Sequence, residues 1–157
     1  MAERSLAAGA RKIVKKGLKR LLRDGRSAVE GGNQDDLHAL RIAIKHLRYN
    51  LEFFVPVLGD ETREPLALLV LAQDRLGALA DADNFGRTYG ALASEHASQS
   101  ELRPGLQRLR DDAVRERESA LEAIRALWRG AEDGPYPDRL AASISAALGS
   151  LSKDPEA

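Results

Sequence analysis

The stretch from Leu37 to Phe54 constrains this chain more than any other, because it reads as one helix with two opposed faces. At about 100° per residue, Leu40, Ala43, Leu47, Leu51, Phe54 and Leu58 gather on one side. His38, Arg41, Lys45 and Arg48 gather on the other, with Ile42, Tyr49 and Glu52 among them. The apolar side must be buried against other elements, so the chain has to supply partner helices. The cationic row runs about 15 Å from His38 to Arg48 at ~1.5 Å per residue. Glu52 is its one acid, so its charges go largely unpaired within the helix. Such a row suits an extended polyanion, and it also suits a plain solvated face; periodicity alone leaves both readings open.

The rest of the chain repeats the helical theme. From about Ser5 to Glu30, Lys12, Lys15, Lys16, Lys19, Arg23 and Arg26 share one arc, with Val14, Leu18, Leu21 and Val29 toward the other side. An amphipathic basic helix of this kind can also lie on a membrane surface, but Gly17 and Ala28 make its apolar side poor in large residues. Gly31 and Gly32 break the pattern. Asn33 to Asp36 then supply a cap and acids for the next helix, where they suit its dipole. A connection this short predicts antiparallel neighbours, whose basic faces meet in one groove if their rotation allows it.

The central helix is expected to end near Gly59, and Glu61 to Pro65 reads as a new start. Leu66, Leu69, Val70, Gln73, Leu76, Gly77 and Ala80 mark its core face, with Gly77 leaving room for another backbone. Asp81-Ala-Asp83 reads as a cap or bend into a shorter helix through Tyr89 and Leu92 to about His96. A long helix over about 101–130 follows, apolar at Leu102, Leu106, Leu109, Val114, Leu121, Ile124 and Leu127, with charges of alternating sign over 110–122. That alternation predicts solvated salt-bridge lacing, worth ~0.3–0.5 kcal/mol per pair. Asp133 to Pro137 stops it. A last helix spans about 138–151, and residues 152–157 read as a flexible tail. Phe53, Phe54 and Trp128 are placed as core. The expectation is a single all-α domain over residues 1–157, an antiparallel bundle of about five or six helices.

The charge balance is uneven. The chain of 157 residues is formally neutral, yet residues 1–50 hold 12 Lys and Arg against 5 Asp and Glu, and residues 51–157 hold 12 against 19. Capture of an anion follows the local field rather than the sum, so overall neutrality does not exclude a polyanion ligand. No cysteine is present, which removes disulfides and thiolate chemistry and fits a cytoplasmic protein. No apolar run reaches the ~18–20 residues of a membrane span, and no export signal is legible.

A resemblance sharpens the reading. The run Leu37-His38-x-Leu40-Arg41-Ile42-x-x-Lys45-x-Leu47-Arg48-Tyr49-x-x-Glu52-Phe53-Phe54, followed by Gln73-Asp74-x-Leu76-Gly77-x-Leu79-x-Asp81, resembles the second repeat of a CHAD domain (conserved histidine α-helical domain). The resemblance implies an all-helical, non-enzymatic fold that binds inorganic polyphosphate through basic side chains of its histidine-bearing helices. It implies contacts from His38, Arg41, Lys45 and Arg48, and the basic face of the first helix adds Lys12, Lys16, Lys19 and Arg23. Gln73, Asp74 and the Leu76-Gly77 pair are implied to be packing and orienting elements. Family members usually carry two such repeats in nearly twice this length. One repeat therefore suggests either a homodimer that restores a shared groove about a two-fold axis or a fragment of a longer protein. In the wider family such domains occur joined to triphosphate-hydrolase domains or associated with polyphosphate or polyhydroxyalkanoate granules, and the resemblance extends those partners and a granule location to this chain as expectations.

No catalytic constellation stands out. There is no glycine-rich phosphate loop, no His-Glu-x-x-His and no nucleophile elbow. The paired Glu-x-x-His motifs of a di-iron bundle are missing, and Asp35-x-x-His38 alone is too few ligands for a metal. His46 and His96 read as ordinary, partly exposed histidines. Neither cofactor nor metal is expected. Two rival functions remain: nucleic-acid binding, weakened by 4% aromatic residues and hence few stacking platforms, and a helical protein-interaction module, supported by the charges of 110–122.

Overall fold

The structure, a computed structural model, describes residues 2–99, 101–130 and 134–151, with side chains from Leu6 onward. It is all-α. Five α-helices follow one another: α1 (Ala2–Gly31), α2 (Gln34–Leu58), α3 (Arg63–Glu95), α4 (Arg103–Arg129) and α5 (Tyr136–Ser150), with a 3-10 turn at Gly59–Thr62 between α2 and α3. One continuous apolar cluster draws on all five helices.

The α1–α2 turn follows from local chemistry. Gly32 takes a φ of 66° that a side chain would strain, and the Asn33 side chain accepts from the backbone N–H of Asp35 at 2.8 Å, satisfying one of the orphan donors at the start of α2. The two helices then run antiparallel in close contact. A Cβ on Gly17 would lie 3.2 Å from Leu47, and one on Gly25 would lie 3.4 Å from Leu40. Along α2 the buried residues are Leu37, Leu40, Ile44, Leu47, Leu51, Phe54 and Leu58. The apolar arc is thus the expected one, widened to include Leu37 and Ile44, while Phe53, expected in the core, is 73% exposed.

The chain between 63 and 95 differs from expectation in one respect. Asp81 and Asp83 do not break it, and α3 runs unbroken for 33 residues. Asp83 turns instead to another helix: Arg117 on α4 donates from Nε to the Asp83 carboxylate at 2.6 Å and from Nη2 to the Gly32 carbonyl at 2.9 Å. One member of the expected surface lacing on α4 therefore ties three elements together. A second α4 arginine does similar work, since Arg125 donates to the carbonyls of Val29 and Glu30 at 3.2 and 2.9 Å. Those carbonyls belong to the last turn of α1, where a cation suits the helix dipole.

α3 and α4 pack along one another as an antiparallel hairpin, with Asp83 against Arg117 and Gly86 against Ala113. Past the α1–α2 turn this hairpin has no further helix to cover it. Among the described residues from Asn84 to Asp112 none is buried, and Val70, Leu102, Leu109 and Val114, expected on the apolar faces, stay substantially exposed together with Phe85. α5 closes the opposite end. Tyr136, fully buried, donates its hydroxyl to the Leu68 carbonyl at 3.2 Å, and Ser150 reaches the Leu58 carbonyl at 3.3 Å. The expected tail at 152–157 lies outside the described residues, as does part of the stop at 131–133.

Candidate functional site

The first two α2 cations lie on the side of that helix turned toward α3. His38 and Arg41 line a groove of about 400 Å³ whose other wall is α3, from Leu76 through Asp83 and Asn84 to Arg87. Lys45 and Arg48 continue the row toward the C-terminal end of α2. Both are half-buried, and the Tyr49 ring lies beneath them, with the Arg48 guanidinium carbon 4.9 Å and Lys45 Nζ 5.9 Å from its centroid. Such cation–π contacts hold a charge in place without neutralising it.

The electrostatics follow from which cations have found partners. Arg41 Nε and Arg48 Nε are shielded from solvent and make no hydrogen bond among the described residues. Arg48 Nε does lie 3.3 Å from Glu52 Oε1, at an angle that leaves the bond unmade. A buried donor left unsatisfied costs about 1–3 kcal/mol, more when the group is charged. Gln73, on the same side of α3 as Ala80, Asn84 and Arg87, likewise has its Oε1 unpartnered. Trp128 Nε1, in the core, is unpartnered too, and Gln73 Oε1, an acceptor, offers nothing to an anion, so what the α2–α3 seam offers an anion is the guanidinium charge of Arg41 and Arg48. The groove also carries acids. Asp35, Asp81 and Asp83 line it, and of these Asp83 is already balanced by Arg117. Among the described residues no set of acidic and histidine side chains forms a metal-binding cluster.

The second set of cations is elsewhere. Lys12, Lys16, Lys19 and Arg23 are all exposed, on the arc of α1 directly opposite buried Ala10, Val14, Leu21 and Ala28. The seam between α1 and α2 is lined by Arg20, Asp24 and Ser27 against Asp36, Ala39 and Ala43, and none of the eight candidate residues faces it. His38 and Arg41 thus share a groove with α3, while Lys12, Lys16, Lys19 and Arg23 stand in solvent outside the α1–α2 seam. Arg23 is further drawn to its neighbour Asp24, which accepts from it at 2.6 and 2.9 Å; that bond raises the Arg23 pKa and lowers that of Asp24.

Arg87 is the groove cation that sequence reasoning missed. It falls seven residues beyond Ala80 on the same side of α3, so the helical period carries it into the groove once α3 is continuous. Reading a break at Asp81–Asp83 hid that relation. Asp81, expected as part of a cap or bend, is exposed in the groove wall.

The comparison with protein families decides the affiliation. A family model, the CHAD domain, matches residues 1–88. The chain belongs to the CHAD family. The match takes in α1, α2 and α3 through the groove wall, and so includes the whole His38–Arg48 row. In this CHAD protein α4 and α5 lie beyond the matched residues yet join the same apolar cluster. No curated protein and no solved structure matches the chain. No helix among the described residues is long and apolar enough to cross a membrane.

Proposed function

We propose that this CHAD protein binds inorganic polyphosphate along the α2 face, by charge and hydrogen bonding and without turnover. The observation that carries the reading is the row Arg41, Lys45 and Arg48 along one side of α2, in which Arg41 Nε makes no hydrogen bond among the described residues and Arg48 has only its i, i+4 ion pair with Glu52 at 3.3 Å. Three cations thus track one line. A chain of phosphates offers acceptor oxygens along such a line, and guanidinium groups pair with phosphate oxygens through charge-assisted bonds. His38 and Arg41 extend the row into the α2–α3 groove. Family membership supports the ligand class. Lys12, Lys16, Lys19 and Arg23 contribute a separate, weaker attraction through the field of α1 rather than direct contacts in the groove.

A homodimer belongs to the same proposal. Tyr49 and Phe53 stand exposed on the outer side of α2 beside the cations, and two copies facing each other there would share one anionic chain between two rows of like charge. Polyphosphate would then shift monomer toward dimer by mass action. Residence in the cytoplasm, at polyphosphate granules or beside a triphosphate hydrolase, follows from that ligand as part of the proposal.

Competition tests it against the nucleic-acid reading. Long-chain polyphosphate and single-stranded RNA, matched for charge and salt, are titrated against the protein, and polyphosphate is expected to bind more tightly because the α2 face offers no base-stacking platform beyond Tyr49 and Phe53. Equal or tighter binding of RNA contradicts the proposal.

A further inference from the structure

Beyond Arg87 the α2–α3 groove does not end. A second groove, between α3 and α4, is lined by Gln34, Asp83, Gly86, Arg87 and Gly90 and, from α4, by Arg110. Gln34, Asp83 and Arg87 line both, so the two form one trough that passes the N-terminal end of α2 and continues along the projecting hairpin. Its floor on α3 is open backbone. A Cβ on Gly90 would meet nothing within 4 Å, and one on Gly86 would only touch Ala113 at 3.9 Å.

The cations along this continuation are uncommitted. Arg87 hydrogen-bonds only the amide of Asn84, one turn away on its own helix, and Arg110 has no hydrogen bond or ion pair among the described residues. Arg117 is different, because its charge is met by Asp83. The carboxylates nearest the end of α4, Asp111 and Asp112, are drawn to Gln107 and Arg115 respectively.

We propose that a polyphosphate chain held by His38 and Arg41 continues past the start of α2 into the α3–α4 groove, where Arg87 and then Arg110 bind its further phosphates. This inference rests on the polyphosphate reading of α2 and adds to it a chain-length preference. A short polyphosphate is satisfied on α2, and a long one gains contacts from the hairpin, Arg110 lying outside the family-matched residues. The glycines at 86 and 90 let the anion lie close to α3.

The test is Arg110→Gln, compared with Arg41→Glu, in titrations with tripolyphosphate and with long-chain polyphosphate. Arg110 ties no helix to another, so far-UV circular dichroism is expected to be unchanged. Arg110→Gln is expected to lose roughly 2- to 5-fold in affinity for long chains and to lower the salt slope by about 0.7 for one contact, with tripolyphosphate binding intact. Arg41→Glu is expected to weaken both ligands. If Arg41→Glu weakens binding while Arg110→Gln binds long chains like wild type, or weakens both ligands alike, the continuation is wrong. If neither variant changes any affinity, the polyphosphate reading of α2 itself is wrong.

Discussion

Arg117 holds Asp83 at 2.6 Å and, with its other nitrogen, the Gly32 carbonyl at 2.9 Å. One side chain on α4 thereby fixes α3 against the turn that starts α2, and it neutralises a carboxylate that lines the ligand groove. Both partners are largely shielded, at 29% and 13% side-chain exposure, so the pair is worth more than a surface ion pair. Asp83→Asn is expected to cost about 1–2 kcal/mol in urea unfolding and, by removing a negative charge from the groove, to tighten polyphosphate binding. Weaker binding in this variant would mean that Asp83 organises the site rather than opposing the anion.

A pair of glycines separates close packing from mere helix content. Trp128 occupies the space over Gly25, where an added Cβ would collide with the indole, and the ring packs in the core at a tilt against Tyr136, centroids 5.0 Å apart. Gly25→Ala is expected to destabilise by about 1–3 kcal/mol through overpacking. Gly77, expected from sequence to admit a neighbouring backbone, has nothing within 4 Å of an added Cβ. Gly77→Ala, inside a long helix, is expected to stabilise by about 0.5–1 kcal/mol. Thermal melts of the two variants moving in the same direction would refute this assignment.

Tyr136 makes stability sensitive to alkaline pH. Burial disfavours the phenolate and pushes the Tyr136 pKa well above its usual 10.0. Above about pH 10 the unfolded chain releases this proton and the folded one keeps it, so the unfolded state binds fewer protons and stability falls as pH rises, by up to ~1.4 kcal/mol per unit for this group. Below that range its contribution is fully present. Tyr136→Phe, which loses the bond to the Leu68 carbonyl, is expected to be about 1 kcal/mol less stable than wild type at pH 7, with the gap closing or reversing by pH 11. A gap that stays constant across this range would show that Tyr136 ionises as readily in the folded chain.

Much of this architecture was legible because helical periodicity is a local property. The core arc of α2 and the basic arc of α1 both follow from counting residues. What periodicity lacks is a partner. It placed Phe53 in the core because aromatic residues favour burial, whereas the residue sits on the outer side of α2 with no helix above it. It read Asp81–Asp83 as a break because aspartate often caps a helix, whereas the acceptor of Asp83 is spent on a residue 34 positions away. Whether the basic faces of α1 and α2 meet in one groove stays open in the sequence for a related reason: the rotation of α1 against α2 is set by the contacts of Gly17 with Leu47 and of Gly25 with Trp128 and Leu40, which belong to no single helix. Arg87 needed the unbroken α3 before it could be seen.

Charge reversal and core disruption are expected to part company on α2. Arg41 lines the groove and Lys45 follows one turn on, both only half-buried, so Arg41→Glu and Lys45→Glu are expected to keep helix content near wild type by circular dichroism while weakening the ligand. Leu47 is fully buried, and Leu47→Asp places an unpaired charge in the core at a cost comparable to the ~5–15 kcal/mol that holds a domain together, so this variant is expected to unfold. Should Arg41→Glu melt the bundle as well, the α2 cations are structural.

The most direct measurement is the affinity for long-chain polyphosphate as a function of salt, in wild type and in Arg41→Glu. About six phosphate contacts, with single-stranded nucleic acid as the physical analogue, predict a loss of roughly 10²–10³ in affinity between ~50 and ~200 mM salt. Arg41→Glu is expected to bind more weakly at every salt concentration and with a shallower slope. An affinity indifferent to salt, or an Arg41→Glu line superimposed on that of wild type, would contradict the account.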